Sequence, residues 1–422
     1  MRILWWVNSP VGHVASLLGY RDIQSGKWIE ACFQAIKKEA QDVQIDFVVM
    51  GNKKQLVHDK ENSSIIIELP IARQRGKRTS TRHEKEMWEQ VVELTKPDAI
   101  VVWGTEYSNP LDLMDCAHKI PVVVFIQGLI SAIAKYPFGN MRFLQLLSVR
   151  DIKKLKAIIR MLIEQQKLLA HVKYEQQIIE RSQALISDNH WALSCCDPLG
   201  NFKHYDVPLP ISKDFFQHSW NKTMLNQHII FSIAGSSPAK GLHELLYAAK
   251  ILLPKYPDLT VLIPGAMAKG SIYFRYLERY ISTNGLTDHV KFLGKLSSNE
   301  MAEQISKSSL FVMPSCIENH SSTLREAMIV GCPCITSSVG GVCELVHDGE
   351  NGLIYRYGEP KVLAGAIDRL FSNANLAEKI GVNGKKRVID LYPQDIIGKR
   401  MLNVYNDIIY GGKEVDVPNQ QK

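Results

Sequence analysis

The 422-residue chain has no uninterrupted apolar stretch approaching the roughly 18–20 residues that a membrane-spanning helix requires. Met1-Arg2-Ile3-Leu4-Trp5-Trp6-Val7 starts apolar, but Asn8 and Pro10 end it without the length or small-residue cleavage site of a secretory leader. It reads as the first strand of a cytoplasmic protein. Cysteine signatures are missing as well. Cys32, Cys116, Cys195, Cys196, Cys316, Cys332, Cys334 and Cys343 form no Cys-x-x-Cys and no cluster with His at zinc spacing. Several lie among apolar residues, where a free thiol behaves as a small hydrophobe, so neither disulfides nor a metal cage is expected. The basic stretches lack the interleaved aromatics or reading motif of a nucleic-acid binder, so nucleic acid is not an expected partner.

What is present is a soluble globular composition, 45% hydrophobic and 22% charged. The length suggests two or three domains. The net charge of +7 is unevenly placed. Six cations (Arg73, Arg75, Lys77, Arg78, Arg82, Lys85) stand against Glu84 alone, and nine between Arg142 and Arg181 stand against Asp151, Glu164, Glu175 and Glu180. Such patches attract an anionic substrate or lipid surface, or are simply a solvated face. On the helix around 151–167, Ile152, Leu155, Ile159, Leu162 and Ile163 recur at helical spacing, which fits either a membrane contact or a core-facing stripe.

Short Val- and Ile-rich runs alternate with helical patterns throughout. Strands are expected at 2–7, 44–50, 64–69, 99–103, 122–126 and 184–187, with helices at 27–38, 84–94 and 149–181. The Pro-rich and polar stretch 207–228 reads as a linker. A second set follows, with strands at 229–234, 260–263, 290–293, 310–313, 334–337 and 353–355, and helices at 241–253, 273–284, 298–306, 322–330 and 361–373. This predicts an α/β protein of two doubly wound Rossmann-like domains, 1–206 and 229–394, facing a central cleft where ligands bind beyond the strands' carboxyl ends. A final helix near 395–410 is expected to return to the first domain, and 411–422 to be a flexible tail.

Three segments carry candidate chemistry. In Met313-Pro314-Ser315-Cys316-Ile317-Glu318-Asn319-His320-Ser321-Ser322-Thr323-Leu324-Arg325-Glu326-Ala327-Met328, a strand ends, a polar loop follows, and a helix starts near Ser322 or Thr323. The free amides of Ser322, Thr323 and Leu324 offer an anion site suited to a pyrophosphate. Glu318 can accept from sugar hydroxyls and Glu326 from a ribose diol. Alternatively, Thr323 and Glu326 form a capping box. In Ala234-Gly235-Ser236-Ser237-Pro238-Ala239-Lys240-Gly241, Ser237 is a candidate N-cap, with Pro238 at the first helical position and Lys240 in the first turn. A lysine there opposes the helix dipole, a conflict that a bound phosphate removes. In Thr336-Ser337-Ser338-Val339-Gly340-Gly341-Val342, the paired glycines permit a tight turn or close backbone approach.

Lys240-Gly241, Glu318-x7-Glu326, Gly331-Cys332-Pro333, Gly340-Gly341 and Asp348-Gly349-x-Asn351-Gly352 together resemble the carboxyl-terminal domain of the retaining family 4 glycosyltransferases of GT-B fold. The resemblance covers about 229–392 firmly. It extends more loosely to Trp103-Gly104-Thr105-Glu106, Gln127-Gly128-Leu129, His190-Trp191 and Leu209-Pro210-Ile211. It implies that Glu318 binds the donor hexose and Glu326 the nucleotide ribose, while Lys240, Ser237 and the amides of Ser322–Leu324 hold the pyrophosphate. Ser25-Gly26-Lys27-Trp28 is the nearest match to the family's Gly-rich donor-approaching turn, with Gly26 its glycine. Gln127 stands where many members have a histidine near the donor sugar, and Gly235 where many have an arginine.

The implied activity is hexose transfer from a UDP- or GDP-sugar to a saccharide or lipid-linked acceptor, in cell-surface polysaccharide synthesis at the inner face of the plasma membrane. Epimerase or phosphorylase chemistry, or non-catalytic nucleotide-sugar binding, are the alternatives. No Asp-x-Asp occurs, so no metal or other cofactor is expected, and Lys240 with the helix amides would do a metal's work. No carboxylate nucleophile stands out. The expected mechanism is a front-face reaction through an oxocarbenium-like transition state, the leaving phosphate accepting the acceptor's proton.

Overall fold

The structure, a computed structural model, describes residues 1–21, 26–141, 145–146, 154–233, 235, 237–319 and 321–411. The expectations for Ser25, Ala234, Ser236, His320, the helix start at 149–153 and the tail from 412 onward fall outside the described residues. Two compact units emerge. The first comprises Met1–Ile130, Lys167–Pro210 and Gln394–Lys422, the second Ser131–Gln166 and Ile211–Pro393.

The first unit is built on eight of its strands. They are β1 (Arg2–Val7), β2 (Gln44–Met50), β3 (Gln55–Asp59), β4 (Ser64–Leu69), β5 (Ala99–Trp103), β6 (Val122–Phe125), β8 (Ala184–Ser187) and β9 (Lys203–Asp206), ordered β3-β4-β2-β1-β5-β6-β8-β9. All neighbours run parallel except β3 against β4. The central strands are buried on both faces, which is why they read as unbroken Val/Ile/Trp runs rather than alternating ones. β3 and β9 escape sequence reading because an edge strand that faces water on one side carries polar residues such as Gln55, His58, Lys203 and His204.

The short strand β7 (Pro137–Asn140) belongs to the second unit, as does the rest of Ser131–Gln166. Chain order alone assigned that stretch to the first domain. Its apolar residues Met141, Leu146 and Ile158 pack in one cluster with Leu242, Leu245 and Leu246. The helix Lys154–Glu180 turns Ile158 to this core, with Ala157 and Met161 partly buried beside it. Leu155, Ile159, Leu162 and Ile163 are exposed, so they are not a core-facing stripe.

The second unit's sheet is all parallel, ordered β12-β11-β10-β13-β14-β15, from β10 (Ile229–Phe231), β11 (Thr260–Pro264), β12 (Val290–Gly294), β13 (Leu310–Met313), β14 (Cys334–Ser337) and β15 (Leu353–Tyr355). One face packs on the helices Leu242–Leu252, Ile272–Thr283 and Pro360–Phe371, the other on Ser298–Lys307 and Ser322–Val330. A capping box on Ser297 and Glu300 starts the first of that last pair. The helix Ala374–Leu391, absent from the sequence reading, has a Gly381 that lies against Gly331 and a Gly384 that lies against Asn351.

The last helix, Ile397–Tyr410, returns to the first unit as expected from sequence. Ile397, Met401, Val404 and Tyr405 join its core, and Trp5 Nε1 donates to Tyr405 Oη at 3.1 Å. Met401 is fully buried there. Met401→Ala should therefore cost about 2–5 kcal/mol, read as a lower urea midpoint at unchanged slope.

Candidate functional site

In the second unit the chain runs β10, β11, β12 outward on one side of the sheet, then restarts at β13 beside β10. Loops leaving β10 and β13 at their carboxyl ends therefore diverge, the topology that opens a ligand crevice in doubly wound sheets. The β10 loop carries Ser237 and Lys240, and the β13 loop carries Glu318.

These two loops are joined by an ion pair. Lys240 Nζ lies 2.6 Å from Glu318 Oε1, and Ser315 Oγ donates to the same oxygen at 2.7 Å. Glu318 is only 8% exposed, so its carboxylate needs these partners. The lysine's position also differs from the sequence expectation. Pro238–Lys240 is a single 3₁₀ turn closed by Gly241 in the left-handed region, and the α-helix proper begins at Leu242. Ser237 caps the turn, its Oγ accepting from Ala239 N at 3.3 Å. The Lys240 charge is thus answered by Glu318 rather than set against a helix dipole.

Two glycines permit this approach. A Cβ on Gly241 (φ +71) would lie 1.7 Å from the Pro314 carbonyl oxygen, and one on Gly340 (φ +50) 1.8 Å from that of Glu318. Cys316 N also donates to Ala239 O at 2.8 Å, tying the two loops together through their backbones. The Gly340-Gly341 pair, ambiguous in sequence, thus seats the backbone of Glu318. The Asp348-to-Gly352 motif folds on itself. Asn351 accepts from His347 N at 2.7 Å and Asp348 from Ile354 N at 2.8 Å, which starts β15.

The helix Ser322–Val330 begins two residues earlier than a Thr323 cap would place it. Ser321 is the N-cap, its Oγ accepting from Leu324 N at 3.3 Å. The capping-box alternative is thereby overturned, since the third helical position is Leu324 and the half-buried Glu326 falls one turn in. Of the three amides read from sequence at this helix start, that of Leu324 is engaged by the cap.

Gln127 and Gly26 belong to the first unit. Gln127 is half-buried, two residues past β6. Gly26 is the buried left-handed N-cap of the helix Lys27–Glu39, where a Cβ would lie 2.3 Å from Val11 Cγ1. The glycine of the turn directly after β1 is instead Gly12 (φ +50), packed against Glu30, which also accepts from His13 N at 3.1 Å. Sequence reading passed over that pair because seventeen residues separate its members.

Residues 213–387 match the model of the family described as glycosyl transferases group 1. That stretch, about two fifths of the chain, is similar to the group 1 glycosyl transferases. Over 200 residues it is 25% identical to the capsular polysaccharide biosynthesis glycosyltransferase CapM of Staphylococcus aureus, covering 46% of this chain and 50% of that protein. Over 149 residues it is 33% identical to an uncharacterized glycosyltransferase of Methanocaldococcus jannaschii, covering 35% of this chain and 40% of that one. The chain spans about half the length of the curated relatives it matches. Among solved structures, a sucrose-phosphate synthase from Thermosynechococcus elongatus aligns with TM-score 0.71 at 17% identity, over 97% of this chain and 99% of that one. HepE of Anabaena, solved in complex with UDP, aligns with TM-score 0.67 at 15% identity, over 96% and 100%. Likeness at such identities concerns the fold, and that fold is GT-B. The matched residues include Lys240, Glu318, Glu326 and the helix start, all second-unit candidates.

One carboxyl in the first unit, Glu106, entered the sequence reading only within the looser resemblance. Burial pushes Glu106, in the loop after β5, up to about 7, with Glu175 adding to the shift and Arg75 opposing it. Nothing in its local sequence signals that burial.

The close approach of the two loops gives a specific expectation. Gly241→Ala should destabilise the protein well beyond the roughly 1–2 kcal/mol of a left-handed backbone. Gly294→Ala, with φ +73 but open space around it, should cost only that backbone term. Thermal unfolding of both variants compares them directly.

Proposed function

We propose that this protein is a retaining family 4 glycosyltransferase that moves a hexose from a UDP- or GDP-sugar to a glycan or lipid-linked acceptor, in cell-surface polysaccharide synthesis on the cytoplasmic side of the membrane. The observation that carries this reading is the Lys240–Glu318 pair beside the amides of Ser322 and Thr323. An ammonium, a helix start and a carboxylate converging at a sheet's switch point match the three parts of a nucleotide-sugar: diphosphate, phosphate oxygens and hexose hydroxyls. On donor binding, Lys240 exchanges Glu318 for phosphate oxygens, and the released carboxylate accepts from the hexose hydroxyls. Negative charge grows on the leaving diphosphate as the glycosidic bond breaks. Donors already aimed there lower the barrier with little reorganisation, so Lys240 and the amides take the part a metal plays elsewhere. Glu326 holds the ribose. By the family resemblance Gln127 and Gly26 are donor-side residues, the Gln127 amide as a neutral hydrogen-bonding group. CapM's role in capsular polysaccharide biosynthesis and the UDP bound to HepE support the choice of chemistry.

Thermal-shift screening with nucleotide sugars tests the assignment, since ligand at a hundred times its Kd stabilises by about 2.7 kcal/mol. Glu326→Ala should weaken nucleotide binding, whereas Glu318→Ala should mainly lower turnover. Negligible effects from both would overturn the site. Nucleotide binding without transfer or donor hydrolysis would point to a binding protein, and acceptor-free turnover to an epimerase or phosphorylase.

Contact with an anionic membrane belongs to the same reading. Leu155, Ile159, Leu162, Ile163 and Leu169 are exposed and, at 3.6 residues per turn, share an arc of about 120° on their helix. Lys156, Arg160 and Lys167 are exposed along one edge of it. An apolar stripe flanked by cations is the surface that anionic headgroups receive. Among the described residues, no helix is long and apolar enough to cross a membrane. The protein should pellet with phosphatidylglycerol vesicles, less so in high salt, and hardly with phosphatidylcholine. Replacing Leu155 and Ile159 by aspartate should abolish pelleting while leaving nucleotide binding intact, and equal pelleting of that variant would sink the contact.

A further inference from the structure

The helix that follows Lys240 opens in an unusual way. Its sequence, LHELLYAAKIL, buries His243 and Glu244 almost completely in its first turn, where leucines would serve a core better. A buried imidazole beside a buried carboxyl is costly unless each is hydrogen-bonded. Both receive partners from a single side chain about a hundred residues upstream.

That side chain is Asn140, at the end of β7. Its Nδ2 donates to Glu244 Oε1 at 2.9 Å, and its Oδ1 lies 2.9 Å from His243 Nε2. Because Oδ1 can only accept, the imidazole proton sits on Nε2. Nδ1 then accepts from Tyr273 Oη at 3.0 Å, and that oxygen in turn accepts from His243 N at 3.2 Å. Burial pushes His243 down to about 3, in keeping with a neutral ring. Asn140 N donates to Tyr357 Oη at 3.3 Å. One amide thus hydrogen-bonds two buried groups in one orientation, reaching Glu244 through Oε1, and no aliphatic residue can replace it.

The same strand presses on the lysine turn. A Cβ on Gly139 (φ +60) would lie 2.8 Å from Pro238 O and 2.7 Å from Tyr357 Oη. The Pro238–Lys240 turn is therefore held from two sides. β7 lies against Pro238, and the Glu318-bearing loop binds the turn through Cys316 N and crowds Gly241 through Pro314 O.

We propose that Asn140 is a positioning residue for Lys240: by locking His243 and Glu244, β7 holds the Pro238–Lys240 turn where the ammonium meets Glu318 and takes up a nucleoside diphosphate. The inference rests on the reading of Lys240 given above. It assigns a donor-site role to a segment that chain order places in the other domain.

Calorimetric titration of the full chain with UDP, GDP and the corresponding monophosphates tests it. Asn140→Ala should weaken diphosphate binding about tenfold, some 1.4 kcal/mol, while changing monophosphate binding less than about twofold. In a Lys240→Met background the same substitution should cost nothing further, because two residues acting through one contact are not additive. Asn140→Asp, which sets a second carboxylate against Glu244, should not rescue binding. Should N140A fail to fold, G139A carries the same expectation, since its Cβ would meet Pro238 O at 2.8 Å, Tyr357 Oη at 2.7 Å and His243 Cε1 at 3.2 Å and so displace β7 from the turn while keeping the Asn140 side chain. Unchanged diphosphate affinity, an equal loss for monophosphates, or a full additional loss in the Lys240→Met background would each overturn the positioning role. If the wild-type chain binds neither diphosphate, the functional reading falls and this inference with it. Normal wild-type binding with unaffected variants defeats the inference alone.

Discussion

The Lys240–Glu318 ion pair is the contact around which the second unit's functional end is organised. It joins loops that leave adjacent parallel strands and that the sheet topology would otherwise let diverge. A half-exposed ammonium paired to a nearly buried carboxylate is poised for exchange. The lysine can turn to another anion at small cost, whereas the glutamate, once released, needs new donors in a site shielded from water. A ligand bringing phosphates for one and hydroxyls for the other satisfies both together. That reciprocity is the physical ground of the proposed nucleotide-sugar reading.

Backbone geometry places that pair. Gly241 and Gly340 are positions where a carbonyl oxygen occupies the space of a Cβ, and both sit under the loops that carry the charged groups. Several of the remaining supports are backbone or hydroxyl bonds between neighbouring turns, such as Cys316 N to Ala239 O and Ser337 Oγ to Ser315 O. They leave little freedom for the loops to spread. A site that must stabilise developing charge benefits from such rigidity, because donors already in position need no reorganisation.

Much of this was legible in the sequence for identifiable reasons. Doubly buried parallel strands write themselves as Val/Ile runs, so the interior strands of both sheets and the returning last helix were found close to their boundaries. Glu318, Glu326 and Lys240 were recognisable because strand–loop–helix context surrounds each. Edge strands β3 and β9 were not, since half their side chains face water. The helix at 322–330 was read at its observed bounds, whereas its cap was left open because Ser321, Ser322 and Thr323 are all competent caps, and only the backbone conformation selects among them.

By itself, the sequence determined the fold class, the alternation of elements and the residue types at the site, because hydrophobic periodicity and turn chemistry are local properties. Tertiary structure decided which groups meet. It gave Lys240 a carboxylate partner, sent Ser131–Gln166 to the second unit, and used Asn140 to hydrogen-bond a histidine and a glutamate a hundred residues away. Such pairings depend on where separated chain segments come to rest in three dimensions, and burial alone makes them necessary.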